Sequence, residues 1–243
     1  GGGGGCVVGG GGGGVGGGGA GVGGGGSGVG GGGSGVGGGG SGVGGGSGGG
    51  AARNIQIVNA SFELPVTPPD SFIANAPPMG WQSYGTAINF SNRTIGVLNP
   101  NTTSLYLDPV PAGQNVGVVF LLDSLPTPTE AGLSQTVSEN LALNTTYRLT
   151  VQVGNLNPQA GLPYDFTGFP GYRVDLMAGT TVIASDANTL FPGEGRFLLS
   201  SVTATIGGSH PAAGQTLRIR LVNLDAAPGI EVNFDDVKLT ATP

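Results

Sequence analysis

Histidine, tryptophan and cysteine occur once each among these 243 residues, as His210, Trp81 and Cys6. A lone cysteine has no partner for a disulfide within the chain, so a stable fold must rest on its own core. Cys6 itself reads as a passive small residue, a free thiol or one half of a link between chains. His210 sits in the turn sequence Gly207-Gly208-Ser209-His210-Pro211, and without further His or Cys it has no companions for a transition-metal site. Charge is scarce too: eight basic and 14 acidic residues give a net charge of −6. The basic residues stand singly, which excludes the electrostatic footprint that nucleic acid or an anionic membrane surface requires. No apolar run has the length of a membrane-spanning helix. No nucleophile elbow, phosphate-binding loop or His-containing triad can be assembled, and no motif marks a carboxylate pair for glycoside chemistry. From these gaps the expectation is a protein that is not an enzyme.

Glycine is what the chain has in excess, and 37 of its 54 glycines fall in the first fifty residues. Val8, Val15, Val22, Val29, Val36 and Val43 recur there at seven-residue intervals, with Ser27, Ser34 and Ser41 in step, so the unit reads GVGGGGS. Such a tract is a flexible coil when alone, and a spacer, natural or engineered, is the plain reading. Regular valines argue for a packing surface instead. In a polyproline II helix a step of seven visits three faces, and in a strand it alternates between two. Ordering so many glycines also loses more backbone entropy than a few valines offset, and buried peptide groups must be paired. The expectation is therefore an assembly arm over residues 1–50, polyglycine or polyproline II-like or β, bonded to the arms of other copies in a homo-polymer.

Past residue 50 all 22 charged residues appear, and short apolar or alternating runs follow one another between turn signals. That spacing predicts an all-β sandwich over residues 51–243. Strands are expected at 54–58, 61–64, from Trp81, 94–98, 104–107, 115–122, 132–137, 145–154, 172–178, 181–184, 197–206, 215–223 and 230–239, with a Pro-rich loop between 65 and 80. The run 145–154 alternates most cleanly: Tyr147, Leu149, Val151 and Val153 face one way, Arg148, Thr150 and Gln152 the other. Its neighbour, the loop 155–171, is rich in aromatics and Pro/Gly; Tyr164, Phe166, Phe169 and Tyr172 are candidates for contact with a ligand or a second subunit. Asn89, Asn92, Asn101 and Asn144 stand in Asn-x-Ser/Thr contexts and are candidate glycosylation sites in a eukaryotic secreted protein.

The strings Asn59-Ala-Ser61-Phe62-Glu63-x-Pro65, Pro78-Met-Gly80-Trp81, Leu133-Ser-Gln-Thr-Val137, Thr146-Tyr-Arg-Leu-Thr150 and Phe234-Asp235-Asp236-Val237-x-Leu239 carry a resemblance. They resemble the galactose-binding-like jelly roll, in versions common among bacterial exported proteins of the PEP-CTERM class and, more distantly, in carbohydrate-binding modules. The resemblance implies a structural calcium joining the first and last strands, held by Glu63 and by Asp235 or Asp236. It also implies an exported protein, in keeping with a chain that begins on Gly, and hence an extracellular or cell-surface location. Two functions are expected on this reading: a structural subunit of an extracellular filament or surface layer, or a carbohydrate-binding module on a Gly-rich stalk with polysaccharide as its partner.

Overall fold

A computed structural model describes residues 50–85, 93–100, 104–122, 130–159 and 162–243. The assembly valines Val8, Val15, Val22, Val29, Val36 and Val43 lie outside them, as do Cys6, Asn89, Asn92 and Asn101.

Twelve strands and no helix are found among the described residues: β1 (Arg53–Ile55), β2 (Ser71–Ala74), β3 (Gln82–Gly85), β4 (Arg93–Asn99), β5 (Val116–Leu121), β6 (Ala131–Asn140), β7 (Thr145–Asn155), β8 (Tyr172–Ala178), β9 (Thr181–Ala187), β10 (Arg196–Ile206), β11 (Thr216–Asn223) and β12 (Glu231–Thr242). All pairings are antiparallel and they form two sheets. One runs β10-β7-β12-β5-β4-β2 with β1 beside β12; the other runs β3-β6-β11-β8-β9. This is the all-β sandwich expected from the turn spacing, and the jelly roll that the resemblance implied.

The sheets face each other across one apolar layer. On β7, Tyr147, Leu149, Val151 and Val153 are all fully buried in it, joined by Val232, Phe234, Val237 and Leu239 of β12 and by Leu217, Ile219 and Leu221 of β11. Alternation along each strand puts every second side chain into that layer. In β12 the phase changes once. The ladder with β7 shifts register between Asp235 and Lys238, and Asp236 sits at φ +49°, a left-handed conformation that Asp tolerates better than most residues. This bulge keeps Val237 and Leu239 facing inward although they lie an odd number of residues from Phe234.

Two expected strands are absent. A turn at 58–61 runs into irregular chain at 62–64, with Asn59 at φ +51° and Phe62 at φ +59°; the Phe62 N–H bonds back to the Asn59 carbonyl and the Asn59 side chain bridges to the backbone of Leu64 and Met79. Residues 104–107 join no ladder; single bonds tie them to Asn157 and Gly195. Conversely β2 forms inside the stretch expected as a Pro-rich loop.

Candidate functional site

The site grows from the first half of β12. Glu231, Asn233 and Asp235 alternate with Val232 and Phe234, so if the apolar pair faces the inter-sheet core, the polar three share the opposite, outer face of the large sheet. On a bare sheet that face would be wet. Here it is buried: Glu231 is 8% exposed, and Asn233 and Asp235 are 0%. A second apolar cluster covers it, made of Leu98 from β4, Val116, Val118 and Phe120 from β5, Tyr106 and Leu156. Tyr106 lies flat on Phe197 at 4.4 Å between ring centroids. Only glycine fits beneath the pair, since a Cβ on Gly154 would come within 2.4 Å of the Phe197 ring.

Within this second layer lies a cavity of about 510 Å³. Phe120, Tyr164 and Phe166 form one aromatic wall, with centroids 5.1 Å apart for Phe120–Tyr164 and 6.1 Å for Phe120–Phe166. Leu98, Leu105, Val118, Leu156, Leu162 and Pro163 supply aliphatic surface, Phe72 and Asp70 stand at the β2 side, and Glu231 comes from β12. Thr94 also lines it, but its hydroxyl is engaged with Asn75. Among the described lining residues there is no Lys, Arg or His.

Glu231 is the chemically unusual member. Burial pushes its carboxyl up to about 7, a rise that the hydrogen bond from Asn233 only partly opposes. Near neutral pH it therefore holds a proton part of the time and can give or take one, as a general acid must. The Asn233 amide donates to Glu231 Oε1 at 2.8 Å, and the Tyr106 hydroxyl donates to Asn233 Oδ1 at 2.5 Å. Burial, with the negative charges of Glu231 and Asp235 adding to it, holds the Tyr106 phenol well above its ordinary value.

Tyr164 and Phe166 stand in the cavity wall. Phe169 packs against the inter-sheet core, and Tyr172 is fully buried with its hydroxyl donating to Asp186 at 2.6 Å. Asn144 is an exposed turn residue at φ +53°. His210 accepts the Ala212 N–H in its own turn.

Glu63 and Asp235 are brought to the same loop. Glu63 Oε1 accepts the N–H groups of Gln114 and Asn115 at 2.9 and 3.0 Å. Asp235 Oδ2 accepts the Ala112 N–H at 2.8 Å and its Oδ1 that of Asp236 at 2.6 Å. Burial pushes the Asp235 carboxyl up to about 8; those backbone donors oppose the shift, and the charges of Asp236 and Glu63 add to it. Asp236 itself turns to Lys238, 2.6 Å away. Asn115 Oδ1 is buried without a hydrogen-bond partner. No cluster of three or more His, Cys, Asp or Glu forms among the described residues.

Sequence reasoning missed Glu231, Asn233 and Tyr106. The signal was the alternation Glu-Val-Asn-Phe-Asp, which reads equally well as one wet face.

The apolar cavity with its aromatic wall and one buried carboxyl can hold a hydrophobic small molecule beside a group able to exchange a proton, and comparison with known proteins gives the family. The family model described as HpiC1-like, HpiC1 cyclase, matches residues 53–240; the chain belongs to that family. An apo cyclase from Fischerella sp. is 37% identical with a TM-score of 0.72, over 78% of this chain and 96% of that one. A Stig cyclase from Fischerella sp. TAU, in complex with (3Z)-3-(1-methyl-2-pyrrolidinylidene)-3H-indole, is 37% identical with a TM-score of 0.73, over 79% and 99%. A cyclase from the same source, in complex with 4-(1H-indol-3-yl)butan-2-one, is 37% identical with a TM-score of 0.72, over 79% and 98%. No curated protein matches the sequence. Carbohydrate-binding-module-like β folds also occur among the structural neighbours, one of them 18% identical with a TM-score of 0.45, too distant to bear on function.

These findings correct the sequence reading. The chain is an enzyme of a cyclase family, neither a structural filament subunit nor a carbohydrate-binding module, and self-assembly as its purpose falls with them. The error had a physical source. Catalytic motifs were sought as nucleophiles, histidines, metal clusters and carboxylate pairs, and a single carboxyl buried in an apolar cavity matches none of these patterns.

Proposed function

We propose that this chain is a cyclase that closes a ring on an indole-bearing, largely apolar substrate held in the 510 Å³ cavity, with Glu231 as general acid. The observation that carries the reading is the Glu231 carboxyl, buried and pushed up to about 7, in a cavity otherwise walled by apolar and aromatic groups. The indole compounds bound to two relatives support the substrate class. The enzyme binds the flat ring against Phe120, Tyr164 and Phe166, and Glu231 protonates an unsaturated carbon or nitrogen. The aromatic faces attract the positive charge that develops, exclusion of water protects it from capture, and the carboxylate takes a proton back after the new bond has formed. Glu231→Gln keeps the size and the hydrogen bond to Asn233 but removes the acid. With indole derivatives carrying an unsaturated side chain, the wild-type chain is expected to give a product of unchanged mass with one more ring and one fewer double bond. If Glu231→Gln turns over at the wild-type rate, the assignment fails.

The candidate calcium fits the residues present: a buried carboxylate in Asp235, a second hard-oxygen donor in Glu63, and the orphaned Oδ1 of Asn115. Calcium takes such oxygens, and when bound it would keep Asp235 ionised and tie β12 to the loop at 112–115. Asp236, paired with Lys238, is left out of this set. A rise in melting temperature on adding calcium, abolished by Asp235→Asn, is the expected result.

A further inference from the structure

The three-membered chain Tyr106–Asn233–Glu231 assigns a task beyond packing. A carboxylic acid has two oxygens, and it is useful as an acid only if its proton sits on the one presented to the substrate. Asn233 faces two neighbours at once: its Nδ2 donates to Glu231 Oε1 at 2.8 Å, and its Oδ1 accepts from the Tyr106 hydroxyl at 2.5 Å. An amide turned the other way would set Oδ1 against the Glu231 carboxylate, acceptor against acceptor. The phenol stays protonated, because burial holds it far up, and so it remains a donor that favours one amide orientation. With Oε1 occupied as an acceptor, the proton is left to Oε2.

Resting on the reading of Glu231 as the acid, we propose that Asn233, oriented by the Tyr106 hydroxyl, is the positioning residue that decides which oxygen of Glu231 carries the proton. Both residues are 0% exposed, and strand register holds them: Asn233 lies opposite Val118 of β5 and Gly154 of β7, while Tyr106 is pinned by its stack on Phe197. The other titratable groups on this side are Asp70 and Tyr164 in the cavity wall and Asp235 further along the same face of β12.

The test needs no substrate, so it is separable from the identity of the reaction. The chain has five glutamates, and carbon-13 NMR of the full-length protein resolves Glu231 as the signal lost in Glu231→Gln. Asn233→Leu removes a donor that favours the charged carboxylate, so the Glu231 midpoint is expected to move up by about one pH unit or more. Tyr106→Phe deletes a single oxygen, keeps the ring stack and frees the amide to turn; its shift is expected in the same direction and smaller. A midpoint in Tyr106→Phe equal to wild type overturns the orienting role. A midpoint in Asn233→Leu equal to wild type overturns the proposal altogether. If the leucine variant does not fold, the phenylalanine variant decides alone. Lost turnover in Glu231→Gln combined with unmoved midpoints would leave the acid standing and remove only its positioning.

Discussion

The large sheet carries an apolar layer on each of its faces, and the two layers are built for different ends. Between the sheets large hydrophobes of β7, β11 and β12 alternate into the layer, with one change of phase at the β12 bulge, and the layer is closed to solvent. On the outer face, over β4, β5 and the first half of β12, a smaller cluster is roofed by the segments around Leu105–Tyr106 and Leu162–Phe166 and keeps a cavity of about 510 Å³. Loops can roof a sheet without filling the space beneath, because they do not follow its pleat. The same strand serves both layers: Val232 and Phe234 belong to the closed side, Glu231, Asn233 and Asp235 to the open one. A polar residue is tolerated there only when it is paired, and a carboxyl held there rises toward neutrality.

Substitutions on the two sides of β12 therefore separate function from stability. The largest effect is expected from Glu231→Gln: a loss of ring closure of about 100-fold or more, the usual range for a general acid, with the melting temperature kept or raised, measured as turnover beside a thermal melt. On the opposite face Phe234→Ala is expected to do the reverse. It should cost about 3–5 kcal/mol in denaturant unfolding, while the rate per folded molecule changes little.

The buried carboxyls of the outer layer also give a pH signature. Glu231 and Asp235 lie at about 7 and about 8 in the folded chain, against roughly 4 in an unfolded one. Between those values the folded state binds more protons, so their contribution favours the fold fully below about pH 4 and is lost as pH rises to about 8. In chelator, the melting temperature of the wild type is expected to decline over that window more steeply than that of Asp235→Asn. Glu130, held below its ordinary value mainly by Arg173, works in the opposite sense at the acid end and is common to both proteins. The smallest effect is expected at the rim: Tyr164→Leu, 36% exposed in the wild type, should raise KM for an indole substrate a few-fold and leave kcat nearly unchanged. A large fall in kcat instead would make Tyr164 part of the chemistry.

Much of the sandwich was legible because it follows from local rules. The alternation of Tyr147 to Val153 names a buried face whatever lies opposite, and turn residues between short runs bound the strands. Where a long-range contact decides, the reading failed. Residues 61–64 look like a strand, but the Asn59 side chain, bonded to the backbone of Leu64 and Met79, holds them as irregular chain after a turn. Tyr164 and Phe166 were recognisable as unusual aromatics in a loop. Nothing local distinguishes them from Phe169 and Tyr172, which the chain folds inward.

The amino-acid sequence by itself determined the class of fold, since periodicity and turn chemistry act within a few residues; that Glu63 would meet Asp235 or Asp236 was only what the jelly-roll resemblance implied. Only the tertiary structure decided that the Glu231 carboxyl is buried and its proton held toward neutrality. Its proton affinity depends on what covers it, and the cover comes from segments more than sixty residues away in the chain.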